Sequence, residues 1–263
     1  MKRFIPFLKS DPTVSVVRLQ GAIGVGARGL TDAGLAPAIE KAFRGKPAAV
    51  ALQVHSPGGS PVQSSLIGAR IRRLSEEKEV PVIAFVEDVA ASGGYWLAAA
   101  ADEIFLDRSS LVGSIGVISA SFGAQDLIGR YGVERRLHTA GKSKSLLDPF
   151  QAEKPGDVKR LRVILDGIHE VFIDHVKARR AAKLAENPDL FTGEVWIGEA
   201  AVEQGLADGI GHLVPVMKER FGDKVRFRKY GPRRSLFARL GATMMSDAIA
   251  GIEERAAYAR FGL

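Results

Sequence analysis

Three short stretches carry residues whose types and spacing suit chemistry. The first is 88–102, DVAASGGYWLAAAAD, where Ser92 follows a strand-like run and precedes two glycines and an alanine-rich segment. A strand that turns sharply into a helix at such a serine exposes the hydroxyl while the first helical N–H groups stay unpaired, an arrangement suited to acyl transfer. The same triplet also reads as a small-residue turn with an N-capping serine. The second stretch is HSPGGS at 55–60. Adjacent glycines after a proline let backbone N–H groups face outward in a conformation closed to bulkier residues. An oxyanion hole needs such preset donors, and losing one costs about 10²–10³ in rate. A plain Pro-Gly turn has the same composition. Here, however, the two turns end consecutive apolar strands, and in a parallel sheet both open on the carboxyl edge, where ligands bind.

A serine nucleophile needs a base. The histidines are His55, His138, His169, His175 and His212. His169 and His175 fall on a long helical pattern, where a solvated or packed role outweighs catalysis because the sequence shows no catalytic pattern around them, and His138 precedes a loop with no acidic residue placed to orient it, as a triad requires. That loop is the third stretch, GKSKSLLDPF at 141–150, with Lys142 and Lys144. A lysine is a base only when neutral, so burial and distance from carboxylates must favour loss of its proton. The flanking LLDPF offers apolar cover. The residues alone leave His138, Lys142 and Lys144 open.

These stretches need a scaffold, and the chain alternates strand and helix patterns. Residues 14–19, 48–54 and 80–86 read as strands, the second as a nearly continuous apolar run of the kind buried on both faces. Further strands are expected at 103–106, 115–119 and 133–139. Thr31 or Asp32 caps a helix to Phe43; Val62, Leu66, Ile67, Ile71 and Leu74 mark the apolar face of a helix over 61–77. A short helix is expected at 124–131, a long one at 155–182, another at 198–204 closed by Gly205, and an edge strand at 224–229. A final helical stripe runs through Phe237, Leu240, Met244, Ala248 and Ile252. The alternation predicts an α/β protein with a mostly parallel sheet flanked by helices.

Composition bounds the rest. With 263 residues, 46% hydrophobic and 25% charged, the chain can bury a substantial core. The absence of cysteine removes disulfides, zinc thiolates and thiol nucleophiles. A net charge of +7 favours acidic surfaces without naming one. No apolar run reaches the roughly 20 residues of a membrane span, so the expected location is cytoplasmic. Lys2, Arg3, Phe4, Phe7 and Lys9 form a basic, aromatic N-terminus suited to weak peripheral membrane contact.

Taken together, SPGG, DVAASGGYWLAAAAD, GSIGVI, GKSKSLLDPF and FTGEVWIGEAAVEQGLADGIG, in this order over 14–213, resemble the signal peptide peptidase A group, family S49 of the serine peptidases. The resemblance implies a ClpP/crotonase-like fold and a Ser/Lys dyad: Ser92 as nucleophile, Lys144 as base, Ser114 of GSIGVI helping to hold the lysine, and Gly58, Gly59 and Gly93 at the oxyanion hole. It implies extended apolar peptides, such as remnant signal peptides, as substrates, a homo-oligomer of the short form, and neither cofactor, metal nor nucleic acid. His55 stands where members commonly carry Asn or Asp. The expected organisation is an N-terminal segment 1–13, a catalytic domain 14–230 and an amphipathic tail 231–263. Two rivals share the turns: a crotonase-like acyl-CoA enzyme, although the two turn motifs hold no paired acidic residues, and a catalytically silent assembly module.

Overall fold

The computed structural model describes residues 11–25, 29–141, 143–231 and 255–263. The N-terminal basic residues, Lys142 and the stripe from Phe237 to Ile252 lie outside them. Two compact units result, one of residues 1–115 with 173–263 and one of 116–172.

The first unit is built on a sheet of eight strands: β1 (Thr13–Gln20), β2 (Ala49–Ser56), β3 (Val82–Ala91), β4 (Glu103–Leu106), β5 (Leu111–Gly113), β6 (Val195–Ile197), β7 (Gly209–Ile210) and β8 (Arg226–Tyr230). Its path runs β6-β5-β3-β2-β1-β8, with β4 between β3 and β7. The centre is parallel, pairing Val14 with Ala49 and Val50 with Val82. Small and branched side chains there are buried on both faces, which explains the unbroken apolar run of β2. One edge of β3 serves two strands in succession. Ile83 to Val86 pair with β4, and Val89 to Ala91 with β5. Where the edge changes partner, the buried Ser110 hydroxyl donates to the Glu87 carbonyl (2.5 Å) and accepts from Asp107 N–H (3.0 Å).

Helices α1 (Asp32–Phe43) and α2 (Pro61–Lys78) start at side-chain caps: Thr31 Oγ1 accepts from Gly34 N–H (3.2 Å), and Ser60 Oγ from Gln63 N–H (3.4 Å). The buried face of α2 differs from the expected one. Ile67, Ile71 and Leu74 are inside, but Val62 and Leu66 are exposed and Ser64 and Gly68 take their places. The cause is α3 (Gly93–Ala99), which lies so close that a Cβ on Gly68 would stand 3.4 Å from the Trp96 ring. Near β8, Met217 of α7 (Leu213–Phe221), Val225 and Phe227 pack on Val14, Val16, Ala49 and Phe85, as an edge strand with alternating side chains requires.

Two expected strands are absent. Residues 115–119 are irregular because Gly113 (φ 107°) and Ser114 (φ 50°) turn the chain out of the sheet, so the strand is 111–113 instead. Residues 133–139 carry no regular structure. They belong to the second unit, which holds α4 (Gln125–Arg130) and most of α5 (Pro155–Arg180). Within it the Ala124 N–H donates to the Pro149 carbonyl (2.6 Å). Asp148 pairs with Arg135 (3.0 Å), and that guanidinium lies over the Phe150 ring. The Asp148 carboxyl is held below its usual range, chiefly by the Phe150 N–H. None of the described residues from 116 to 171 is buried, and Ile118, Phe122, Leu127, Tyr131, Val133, Val163 and Ile164 are among its exposed apolar side chains.

Candidate active site

Ser92 sits between the last residue of β3 and the first of α3 with φ 52° and ψ −124°, a backbone conformation costing a non-glycine residue about 1–3 kcal/mol. Its N–H donates to the Gly113 carbonyl (2.8 Å), and its own carbonyl accepts from Trp96 N–H (3.0 Å), so the end of β5 and the first turn of α3 impose the conformation. Ser92 occupies the N-cap position, yet its side chain makes no capping bond. The capping reading of Ser-Gly-Gly therefore does not apply, and the partly exposed hydroxyl is available.

The glycines allow this close approach. A Cβ on Gly94 would collide with the Ser56 carbonyl oxygen, and one on Gly93 with Ser64 Oγ. Gly58 (φ 101°) lies against the serine: its Cβ would stand 2.8 Å from Ser92 Cβ and 2.9 Å from Gly93 N. The two turns thus meet at one sheet edge. Their N–H groups differ in use. Gly58 N–H donates to Ser56 Oγ (3.3 Å), while Ile23 bonds the Gly58 carbonyl and Ser60 N–H on either side of Gly59. Gly59 N–H and Gly93 N–H have no hydrogen-bond partner among the described residues.

The far end of α3 is firmly held. His175 Nε2 reaches the Trp96 carbonyl (3.1 Å), Arg179 donates to those of Ala99 (3.2 Å) and Ala101 (3.0 Å), and Arg72 to that of Ala100 (3.3 Å). These are the carbonyls that a helix end leaves unpaired. The His175 ring stacks on Trp96 at 4.5 Å, and burial, assisted by the Arg179 charge and opposed by the Trp96 carbonyl, lowers its pKa to about 4. Beneath, Tyr95 donates to the Leu206 carbonyl (2.9 Å), and burial pushes its phenol up. The buried Arg180 pairs with Asp208 (2.7 Å) and donates to the Gly205 carbonyl. Burial opposes the Asp208 charge, but bonds from Arg180, Lys183 and Ile104 N–H outweigh it and hold the carboxyl below its usual range.

Ser92, Gly58, Gly59, Gly93 and Ser114 are gathered within the first unit; Ser114 directly follows the Gly113 carbonyl that binds Ser92 N–H, and its own N–H donates to the Glu194 carbonyl (2.7 Å). Lys144 belongs to the second unit, exposed in the turn 143–147, its N–H donating to the Gly141 carbonyl (3.2 Å). His138 is exposed in the same unit, and His212 lies 3.4 Å from Asp107 at the surface. The role of Gly113 and the contact of His175 with Trp96 were not read from the sequence, although a packed rather than catalytic role for His175 agrees with its place on the long helix. A glycine preceding the serine of GSIGVI was the available signal for the first; the second carries none.

No helix among the described residues is long and apolar enough to cross a membrane, and no cluster there could hold a metal ion. The model of peptidase family S49 matches residues 75–221, which is 147 of the 263 residues. A protein of Brucella melitensis biotype 1 named Na(+)/H(+) antiporter NhaA is 46% identical over 286 residues, covering all of this chain and 39% of that protein. The chloroplastic serine protease SPPA of Arabidopsis thaliana is 34% identical over 166 residues, 63% of this chain and 24% of that one. A putative signal peptide peptidase SppA of Enterococcus faecium is 29% identical over 173 residues, 66% of this chain and 49% of that one. The chain thus spans less than half the length of each of these relatives. Among solved structures, a mutant of the membrane-bound stomatin-specific protease 1510-N superposes with a TM-score of 0.52 at 15% identity, over 86% of this chain and all of that one. That likeness bears on the fold, which is the ClpP-like one the motifs led us to expect. With the family match covering the Ser92 turn and more than half of the sequence, the chain belongs to peptidase family S49, in the signal peptide peptidase A-like group.

Proposed function

We propose that the chain is a serine endopeptidase. The observation that carries this reading is Ser92, held in a strained strand-to-helix turn with an uncapped hydroxyl, beside the unpaired N–H groups of Gly59 and Gly93. Ser92 Oγ attacks the peptide carbonyl carbon and loses its proton to the base; the carbonyl oxygen takes the negative charge and receives the two N–H groups. The C–N bond then breaks as the base returns the proton to the leaving amine, and water hydrolyses the acyl-enzyme. By family resemblance the base is neutral Lys144, assisted by Ser114.

Extended apolar peptides, such as remnant signal peptides, are the substrates this reading favours. The full-length relative named as an Na(+)/H(+) antiporter supports work beside a membrane. A homo-oligomer fits the second unit, whose described residues from 116 to 171 bury nothing and leave several large apolar side chains in solvent. A fluorophosphonate probe tests the chemistry: Ser92 should be labelled in the whole chain and nothing labelled in Ser92→Ala. An unlabelled protein that turns over acyl thioesters would replace the peptidase by a crotonase-like enzyme. Digestion of a peptide library read by mass spectrometry tests the substrate class, and sedimentation over a range of concentrations tests assembly.

A further inference from the structure

The pairing of β2 with β3 breaks at His55. Val54 pairs with Val86, but Ser56 pairs with Ala90, so between these pairs three residues of β3 oppose one of β2 and the ladder with β3 skips His55. This irregularity lies three residues before Gly58, on the strand that delivers the Gly58–Gly59 turn. Other contacts hold His55 in place. Its carbonyl accepts from Gly21 N–H (3.0 Å) on the β1 side. Asp88, from the bulged part of β3, brings a carboxylate oxygen to 3.1 Å from Nδ1, close enough for attraction but without hydrogen-bond geometry, so the hold on His55 falls to its carbonyl and its ring. The third contact comes from 203 residues away: the Tyr258 hydroxyl donates to the His55 carbonyl (3.0 Å), and its ring stacks on the imidazole at 5.1 Å with the planes 19° apart.

We propose that Tyr258 is a positioning residue for the oxyanion turn, so that the C-terminal stretch 255–263 is a working part of the site. The inference rests on the serine-peptidase reading. A turn that must present Gly59 N–H at a fixed point beside Gly93 N–H needs a rigid base, and a bulge supplies less rigidity than a continuous ladder. Tyr258 restores it with a ring against the side chain and a hydrogen bond to the main chain of one residue. His55 suits this contact because its flat ring stacks on the phenol while Nδ1 faces Asp88. The carboxamide or carboxylate common at this position in the family offers no ring.

The test uses the full chain and two readouts. In Tyr258→Ala, kcat on a peptide substrate should fall about tenfold or more with KM little changed, because a shifted donor weakens the transition state. Tyr258→Phe, which keeps the ring, should recover part of the loss. Amide hydrogen exchange over 55–59 should quicken about fivefold in Tyr258→Ala, the equivalent of one lost hydrogen bond, with that of β1 unchanged. Unchanged exchange over 55–59 overturns the proposal, as does unchanged kcat. A rise in kcat overturns it too, since Tyr258 would then act as a cover. If the parent protein shows neither turnover nor fluorophosphonate labelling, the peptidase reading fails, while the exchange measurement still decides whether Tyr258 braces the turn.

Discussion

His175 should make the fold sensitive to mild acid. In the folded chain its pKa is lowered from 6.5 to about 4, first by burial beneath α3. The unfolded chain therefore binds more protons between those values. The stabilisation is complete above about pH 6.5 and is lost as the pH falls through that window towards 4. The gap of about 2.5 corresponds to a ceiling of about 3 kcal/mol, and screening at this half-buried site reduces the expected effect to about 1–2 kcal/mol. His175→Phe keeps a flat ring on Trp96 and removes the titration. Urea unfolding of both proteins at about pH 7 and about pH 5 isolates the effect, because carboxylate contributions are common to the pair. The wild type should lose about 1 kcal/mol more than the variant over that interval. Parallel losses would refute the assignment of neutral His175 as a brace of α3.

The active-site proposal predicts that Ser92→Ala and Lys144→Ala each abolish peptide turnover, with the double variant no worse than either alone, and that Lys144→Arg is also inactive because guanidinium stays protonated. Steady-state and single-turnover assays check this, and full activity in Lys144→Ala would move the base elsewhere. Gly58→Ala places a methyl 2.8 Å from Ser92 Cβ at φ 101°; turnover and fluorophosphonate labelling should both fall at least about 10²-fold while the unfolding free energy from urea titration drops by about 1–3 kcal/mol, and near-normal labelling would contradict the contact. Asp208→Ala strands the buried Arg180 without its counter-charge, so thermal unfolding should show a loss of about 3–5 kcal/mol; a variant as stable as the parent would mean the pair is replaceable by water.

The legible parts of this protein are those in which a local pattern and a tertiary demand coincide. β2 is readable because burial on both faces selects an unbroken apolar run, and Ser92 is readable because its turn requires glycines that nothing else in the segment explains. Val62 and Leu66 misled for the opposite reason: helical spacing identifies a face, but the close approach of α3 gives that face to Ser64 and Gly68. β6 and β7, of three and two residues, exist through their partners and are too short to carry a periodicity. The stack of Tyr258 on His55 joins positions 203 apart, a separation at which no sequence spacing can signal contact.

The change of partner along one edge of β3 gives the two halves of that strand different neighbours. Ile83 to Val86 are committed to the core through β4, whereas Val89 to Ala91 answer only to the three residues of β5 on that side. Residues 107–110, between the two partner strands, are anchored by the buried Ser110 hydroxyl on the Glu87 carbonyl, so a change of length there would shift β5 and with it the Gly113 carbonyl that binds Ser92 N–H. Drift in that connection would alter the pose of Ser92, so the length of one short loop is tied to the geometry of a turn that lies beyond it in space rather than in sequence.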